Sequence, residues 1–202
     1  MTFENLSVKS MIMKKSILIL LVGGLVFFTN DLNSQVVAIG IKGGLNSARL
    51  SGFDGNSRIS GHGGLFLHHT INNNWCFQPE LIFSGEGQKY FLDGEERTIA
   101  LDYISVPLMI QYYATKQLYF EAGPQIGILA SAQDKGINTD HFNVKDDYTP
   151  AQVGINLGLG VYVTPKFGIY GRYHFGLTDV SRFDNIVDHS LVGQLGVAVR
   201  LQ

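Results

Sequence analysis

Six charged side chains interrupt long apolar segments of this sequence and are its first candidates for chemistry. They are the cations Lys42, Arg172 and Arg200 and the carboxylates Glu80, Glu86 and Glu121. Such a set can line a gated path for ions, or it can form a structural network of ion pairs, because a buried charge needs a partner of opposite sign. The elements that carry these residues decide between the two functions.

Three histidines, like those charges, occupy the polar positions of segments in which polar and apolar residues alternate: His62, His68 and His174. Imidazole is a common metal ligand, but no spacing such as HExxH and no cysteine pair supports a metal site here. We therefore expect no bound metal. Cys76 is the single cysteine, so it cannot form an intrachain disulfide, and we expect it to be a small packing residue.

Two other groups have residue types that suggest a site. Asp188, His189 and Ser190 are the types of a hydrolytic triad, but a triad is defined by its arrangement in space and not by adjacency in sequence. The acid-rich segment contains Asp134, Asp140, Asp146 and Asp147. It lacks the patterned oxygen spacing of a calcium loop, so we expect a solvated loop. No catalytic, cofactor-binding or metal-binding residues are predicted.

Eight segments of alternating hydrophobicity carry these residues, and the alternation is typical of β-strands. They span 36–46, 60–71, 75–90, 100–114, 117–130, 151–163, 167–178 and 190–202. Three short connections (72–74, 115–116 and 164–166) alternate with four long ones (47–59, 91–99, 131–150 and 179–189). This layout predicts an all-β fold, an eight-stranded antiparallel up-and-down transmembrane β-barrel with short periplasmic turns and long extracellular loops.

The segment QVGINLGLGVYV, residues 152–163, illustrates the two faces of each strand: one is apolar, and the other carries glutamine, asparagine and glycine. A membrane barrel with its apolar face outward and a soluble ligand-binding barrel with that face inward both fit. A soluble barrel needs a charged exterior, yet only eight charged side chains lie on the predicted strands. The membrane barrel is therefore favoured.

In a membrane barrel the six charges must point into the lumen. A lysine or arginine facing lipid at mid-bilayer costs about 2–4 kcal/mol, and an eight-stranded barrel is just wide enough to be filled by its own side chains. We therefore expect a structural charge network in the lumen and no open ion path.

Five aromatic residues on the apolar parity lie close to the predicted short turns. They are Trp75, Phe77, Tyr112, Phe120 and Phe167. Amphipathic aromatic rings concentrate at the boundary between lipid headgroups and hydrocarbon. The pattern predicts an aromatic belt at the short-turn end of the barrel.

The N-terminal segment has the features of an export signal. Lys14 and Lys15 precede about a dozen apolar residues, too few to span a bilayer comfortably. We expect a cleaved signal peptide over residues 1–34, with Met11 or Met13 as an alternative initiator, and a barrel domain over 35–202; a retained anchor helix is the other interpretation. A net charge of −2 without a basic cluster argues against a nucleic-acid partner.

Four stretches resemble the PorT-like outer membrane β-barrel proteins of Bacteroidetes: GIKGGLNSARLSG (40–52), FQPELIFSGEGQKY (77–90), LDYISVPLMIQYY (101–113) and LYFEAGPQIGILAS (118–131). The resemblance implies an exported outer-membrane barrel without known catalytic residues, in a family whose founding member is tied to type IX secretion and gliding. Members commonly end in an aromatic residue that helps the barrel-assembly machinery to recognise them, whereas this chain ends in VAVRLQ.

Together these observations predict a non-enzymatic, cofactor-free outer-membrane protein with a filled polar lumen, which acts through its extracellular loops or as a structural component of the envelope. Its expected surroundings are outer-membrane lipid, with the barrel-assembly machinery as a partner during insertion. Two alternatives stay open at this point. One is an accessory component of type IX secretion or envelope assembly, in contact with other envelope or secretion proteins. The other is a soluble barrel that binds a small apolar ligand.

Overall fold

The computed structural model describes residues 37–52, 55–92, 94–136, 142–180 and 188–201. The predicted signal peptide lies outside these residues. The strands are β1 (Val37–Leu50), β2 (Asn56–Thr70), β3 (Trp75–Leu92), β4 (Glu95–Tyr113), β5 (Leu118–Gly136), β6 (Phe142–Asn143), β7 (Ala151–Tyr162), β8 (Phe167–Gly176) and β9 (Ser190–Arg200). One turn of 3-10 helix covers Lys145–Asp147. Within the described part of the chain, no helix is long and apolar enough to cross a membrane.

Eight of the nine strands form a closed antiparallel ring. Each pairs with its neighbour in sequence, and β5 pairs with β7 across the intervening segment. The ring closes between the first and last strands, which pair from Gly40 opposite Arg200 to Leu50 opposite Ser190. The two-residue β6 pairs with the outer end of β5. Because closure removes every free edge, all eight strands are paired on both sides, and the predicted up-and-down barrel is confirmed.

The three short turns share one local device. In each, a side-chain oxygen near the start of the turn accepts backbone N–H groups two and three residues later, as Asn72 does from Asn74 and Trp75, both at 3.0 Å. Thr115 and Thr164 accept in the same way at their turns. Asparagine and threonine favour turns through this bond, so local side chains specify a tight return at one end of the barrel.

The opposite end differs from the sequence prediction. The loops predicted over 47–59, 91–99 and 131–150 are shorter than expected: β1 continues to Leu50 and β2 begins at Asn56, β3 and β4 pair as far as Leu92 opposite Glu95, and β5 continues to Gly136. In the extension of β1 the outward residues Ser47 and Arg49 are polar and the inward residues Ala48 and Leu50 are apolar, the reverse of the pattern along the rest of the strand, so the hydropathy pattern did not reveal it. Gly94, at φ +83°, has a backbone conformation that glycine adopts readily in tight turns.

The two strand faces are separated as the alternation predicts. Along β7 the even-numbered residues are buried apart from the half-buried Gly158, whereas Val153, Ile155 and Leu157 are about half exposed on the outside. Inward glycines make room for large neighbours: a Cβ at Gly160 would lie 2.3 Å from the Tyr119 hydroxyl, and one at Gly40 would lie 2.1 Å from the Phe66 ring. The lumen is therefore packed with polar and aromatic side chains, which argues against an interior for an apolar ligand.

A charge placed on the outer face at mid-strand is expected to destabilise the barrel in a bilayer. Leu157 lies at the middle of β7 and is 51% exposed, so Leu157→Arg should lower the free energy of unfolding by about 2–4 kcal/mol. Val163→Arg, beside a short turn and 55% exposed, is the matched control and should cost at most about 1 kcal/mol. Denaturant unfolding in lipid vesicles measures both; equal losses would contradict a lipid-facing β7.

Candidate functional site in the barrel lumen

The middle of the lumen holds a compact group of four charges, the central ion cluster, formed by Lys42, Glu80, Glu121 and Arg172. The two Arg172 Nη atoms bind the two oxygens of Glu80 at 2.9 and 2.8 Å, and its Nε binds Glu121 Oε1 at 2.8 Å. Lys42 Nζ binds Glu80 Oε1 at 3.0 Å. Two cations and two carboxylates leave the cluster formally neutral, which suits a site where all four side chains are almost fully buried.

Neutral groups complete the surroundings of this cluster. Gln78 and Gln111 donate to Glu80 and Glu121 at 2.8 and 3.1 Å. The Lys42 ammonium lies 3.9 Å from the ring centre of Tyr170, a cation–π contact. The Tyr170 hydroxyl hydrogen-bonds to His62, whose other ring nitrogen contacts Asn46. Each carboxylate thus binds both a cation and a neutral donor, so the cluster is held from several strands at once.

Below the ion cluster, toward the short turns, lies a tyrosine layer formed by Tyr113, Tyr119, Tyr162 and Arg200. Ring centres are 5.4 Å apart between Tyr113 and Tyr119, and 5.8 Å between Tyr119 and Tyr162. The Arg200 guanidinium lies 3.7 Å from the Tyr162 ring centre and donates to the Tyr113 hydroxyl at 2.7 Å. Arg200 also contacts His68 at 3.2 Å, and it is therefore placed away from the central ion cluster.

Glu86 is also separate from the central ion cluster. It lies nearer the long-loop end, where Ser190 donates to it at 2.5 Å and Gln152 donates at 3.2 and 3.3 Å. The six charges predicted to form one lumen network thus occupy three heights: four in the cluster, Arg200 below and Glu86 above. Strand parity gives the face on which a residue lies, but it does not give the height, which depends on strand register.

Segments from the long-loop end cover the mouth of the barrel. Tyr148, between the 3-10 turn and β7, packs on the inward residues Leu101, Tyr103, Leu129 and Ala132. Burial raises the pKa of this tyrosine above its ordinary value. Thr149 N–H donates to Val180 O at 2.9 Å, and Val180 N–H donates to Asp188 O at 2.9 Å. Segments distant in sequence are thereby joined across the opening.

Asp188 is the polar anchor of this covering. Its carboxylate, fully buried, accepts the Gly52 N–H at 2.7 Å, and its own N–H donates to Asp179 at 3.0 Å. Burial raises the pKa of the Asp188 carboxyl above 3.8, and Asp179 raises it further, whereas the Gly52 N–H and His189 act in the opposite direction. Closure of the mouth therefore shifts the Asp188 carboxyl toward its protonated form.

The other candidate residues have different neighbours from those that their proposed chemistry requires. Ser190 binds Glu86, whereas the His189 ring contacts Thr178 O and Asp188 binds Gly52, so these three side chains form no triad. His68 and His174 pair with Gln78 and Asn156. No group of three or more His, Cys, Asp or Glu side chains that could hold a metal ion occurs among the described residues.

The remaining sequence candidates also have ordinary contacts. Asp134 pairs with Arg97 at 3.0 Å, Asp146 and Asp147 lie in the 3-10 turn, and Asp140 lies outside the described residues. Cys76 is buried beside Thr70.

The five aromatics predicted to form a belt lie at the short-turn end of the barrel. Trp75 pairs in register with Tyr112, and Tyr112 with Phe120. Trp75, Tyr112, Phe120 and Phe167 are 39–49% exposed, whereas Phe77 is half-buried. The rings of Trp75 and Tyr112 contact each other, with centres 5.0 Å apart. Their role at a headgroup boundary stays a prediction.

The inward tyrosines were not predicted from the sequence. Tyr103, Tyr119, Tyr162 and Tyr170 lie on the polar parity of their strands and are almost fully buried. Their parity is readable from the sequence, because each alternates with apolar residues. A tyrosine ring is apolar like that of phenylalanine, whereas its hydroxyl can form hydrogen bonds in a polar interior. The residue type alone therefore does not indicate whether a tyrosine faces lipid or lumen.

Removing Arg172 should leave Glu121 buried without a cation. We expect Arg172→Met to lower the free energy of unfolding by about 3–5 kcal/mol, and the added change Glu121→Gln to recover part of that loss, because Lys42 and Glu80 remain as a neutral pair. Lys89→Met, which breaks the partly exposed Lys89–Glu96 pair, should cost at most about 1 kcal/mol. Denaturant unfolding of Arg172→Met, Glu121→Gln and the double variant measures the coupling between Arg172 and Glu121. Strictly additive losses would contradict this coupling.

Closure of the mouth should depend on pH through Asp188. Its raised pKa means that the closed state binds a proton more tightly than the open state. The contribution of Asp188 to closure is therefore fully present below pH 3.8 and is lost as the pH rises through the raised pKa. Amide-exchange protection at Gly52 and Val180 should fall over that range, by at most about tenfold for each pH unit. Asp188→Asn keeps an acceptor for Gly52 and should make the protection independent of pH; an unchanged pH profile would contradict the assignment.

Comparison with known proteins gives the family. Residues 33–182 match the family described as "Outer membrane protein beta-barrel domain". Neisserial surface protein A aligns at 12% identity with a TM-score of 0.56, over 84% of this chain and 100% of that chain; at this identity the similarity shows the fold alone. Two further proteins align with lower TM-scores. They are Ail of Yersinia pestis (16% identity, 84% of this chain and 100% of that chain, TM-score 0.49) and OprG from Pseudomonas aeruginosa (9% identity, 84% of this chain and 98% of that chain, TM-score 0.42). No curated protein sequence matches.

The family match covers most of the chain, and it agrees with the closed eight-stranded ring and its apolar exterior. The outward side chains therefore face lipid, and the central ion cluster, the tyrosine layer and Glu86 lie inside the barrel. The chain belongs to the family of outer membrane proteins with a β-barrel domain, and it is located in the outer membrane.

Proposed function

We propose that the protein is a non-enzymatic, non-conducting outer-membrane barrel that acts through its extracellular end or as a structural component of the envelope. The observation that carries this proposal is the filled lumen. The central ion cluster and the tyrosine layer lie at different heights. The cluster is buried, and in the tyrosine layer Tyr119 and Tyr162 are buried while the half-buried Arg200 and Tyr113 are hydrogen-bonded to each other. A solute would have to break both layers, so transport through the barrel is disfavoured.

The long-loop end supports the extracellular part of the proposal. Strands β3, β4 and β5 have 18, 19 and 19 residues, whereas β7, β8 and β9 have 12, 10 and 11. The long strands therefore extend as a paired sheet on one side of the mouth. Ion pairs between Arg97 and Asp134 and between Lys89 and Glu96 hold its outer part. A rigid sheet beyond the bilayer offers a surface to other proteins without any opening of the lumen.

The more specific assignment is a PorT-like protein of Bacteroidetes, accessory to type IX secretion or to envelope assembly. Its support is the four resembling stretches, which follow one another in the family's order. In this assignment the signal peptide is removed on export, the barrel-assembly machinery inserts the chain, and the extended sheet contacts a secretion or envelope protein.

Conductance in a planar lipid bilayer tests the proposal. The refolded barrel should insert without single-channel steps, because the ion cluster and tyrosine layer block the lumen. A variant with alanine at Tyr119, Tyr162 and Arg172 loses side chains from both layers and is the matched control for the sensitivity of the assay. Heat-dependent gel mobility shows that each preparation is folded. Regular open-channel steps from the unaltered protein would overturn the proposal.

A further inference from the structure

Glu86 is a buried carboxylate that forms no ion pair with any described residue. It is 1% exposed. The interior cations Lys42 and Arg172 are bound to Glu80 and Glu121, and Arg200 lies in the tyrosine layer. Arg58 reaches only the backbone oxygen of Glu86 and has its ion pair with Asp102 at 3.9 Å. A negative charge on Glu86 would therefore have no counter-charge in the described part of the chain.

Three buried oxygen atoms around Glu86 also lack a partner among the described residues: Tyr103 Oη, Ser105 Oγ and Gln152 Oε1. Their residues are 0%, 1% and 1% exposed. Tyr103 interacts electrostatically with Glu86, and it pairs in register with Ser84, two residues from Glu86. Ser105 Oγ and Gln152 Nε2, the atom that binds Glu86, lie 3.0 and 3.2 Å from the position of a Cβ built on Gly127. Tyr103 and Gln152 thus lie beside Glu86 in the upper lumen, and Ser105 lies beside Gln152.

The donor set fits a hard cation. A buried charge without a counter-charge and buried oxygens without partners are each costly, and one cation would satisfy both. Oxygen atoms of carboxylate, amide and hydroxyl groups suit metal ions that prefer hard ligands. Protein sites for divalent calcium usually supply more than one carboxylate, whereas a single carboxylate with neutral oxygens balances a charge of +1. A water molecule would satisfy the oxygens but would leave the charge.

We propose that Glu86, Tyr103, Ser105, Gln152 and Ser190 form a binding site for a monovalent metal cation, Na⁺ or K⁺, in the upper lumen. The bound cation replaces the ion pair that Glu86 lacks and joins strands β3, β4, β7 and β9. The central ion cluster separates the site from the periplasmic end, so the cation enters from the mouth. Ser190 follows directly on Asp188 and His189, which hold that mouth closed, and exchange of the cation is therefore coupled to opening of the covering segments.

Thermal unfolding of the refolded full-length protein tests the site, in solutions of NaCl, KCl or N-methylglucamine chloride at equal ionic strength. Loss of heat-dependent gel mobility gives the midpoint. We expect Na⁺ or K⁺ to raise the midpoint by about 3–6 °C at ten times the dissociation constant. Glu86→Gln keeps the size of the side chain and removes the charge, and it should abolish the difference between salts. Glu96→Gln removes a carboxylate at the extracellular end of β4 and should retain the difference.

Tyr103→Phe provides a second variant that should fold, because the hydroxyl it removes has no partner in the described part of the chain. In N-methylglucamine its midpoint should equal or exceed that of the unaltered protein, since an unsatisfied buried hydroxyl is lost, and its response to Na⁺ and K⁺ should be reduced. Equal midpoints of the unaltered protein in all three salts would overturn the proposal and assign a proton or a water molecule to Glu86. An equal cation response in Tyr103→Phe or Glu86→Gln would overturn it as well.

Discussion

Exclusion of charge from the lipid-facing surface is the constraint on which the rest of this structure depends. Every strand must present its apolar residues outward, so each charge on a membrane-spanning strand enters a lumen only a few side chains wide. Arg172 shows the consequence: once inside, it is satisfied by two carboxylates from different strands, and Lys42 balances the second negative charge. The ion cluster therefore also fixes the relative register of β1, β3, β5 and β8.

The same constraint explains which features could be predicted. A period of two assigns each residue of a strand to lipid or lumen without knowledge of its neighbours, so the eight strands, their antiparallel order and the inward charges followed from the sequence. Beyond the bilayer no lipid contacts the outer face, so apolar residues are not required there, and alternating hydrophobicity no longer indicates a strand. The outer parts of β1 to β5 are strands because their backbones pair with one another, a contact that no single segment encodes.

Partners within the lumen were harder to predict, because they depend on height as well as on face. Glu86 and Glu80 have the same parity on β3, yet one binds Ser190 and Gln152 and the other binds Lys42 and Arg172. Six residues separate them, a span of about 20 Å along an extended strand. The inward tyrosines are a different case: each combines a large apolar ring with a hydroxyl, so it fills space beside glycines while still bonding within a polar interior, as Tyr170 does beneath Lys42.

The two ends of the barrel are held by different kinds of contact, and this difference decides where conformational change is possible. At the short turns, side-chain oxygens bind backbone N–H groups two and three residues away, so the chain cannot open without losing its local geometry. At the mouth, the contacts join distant segments, Gly52 to Asp188 and Thr149 to Val180. These bonds can break while every strand pair of the ring stays intact. Since β-strand pairing supplies the cooperative stability of a closed barrel, motion that costs little is confined to the extracellular end, the same end that carries the extended sheet.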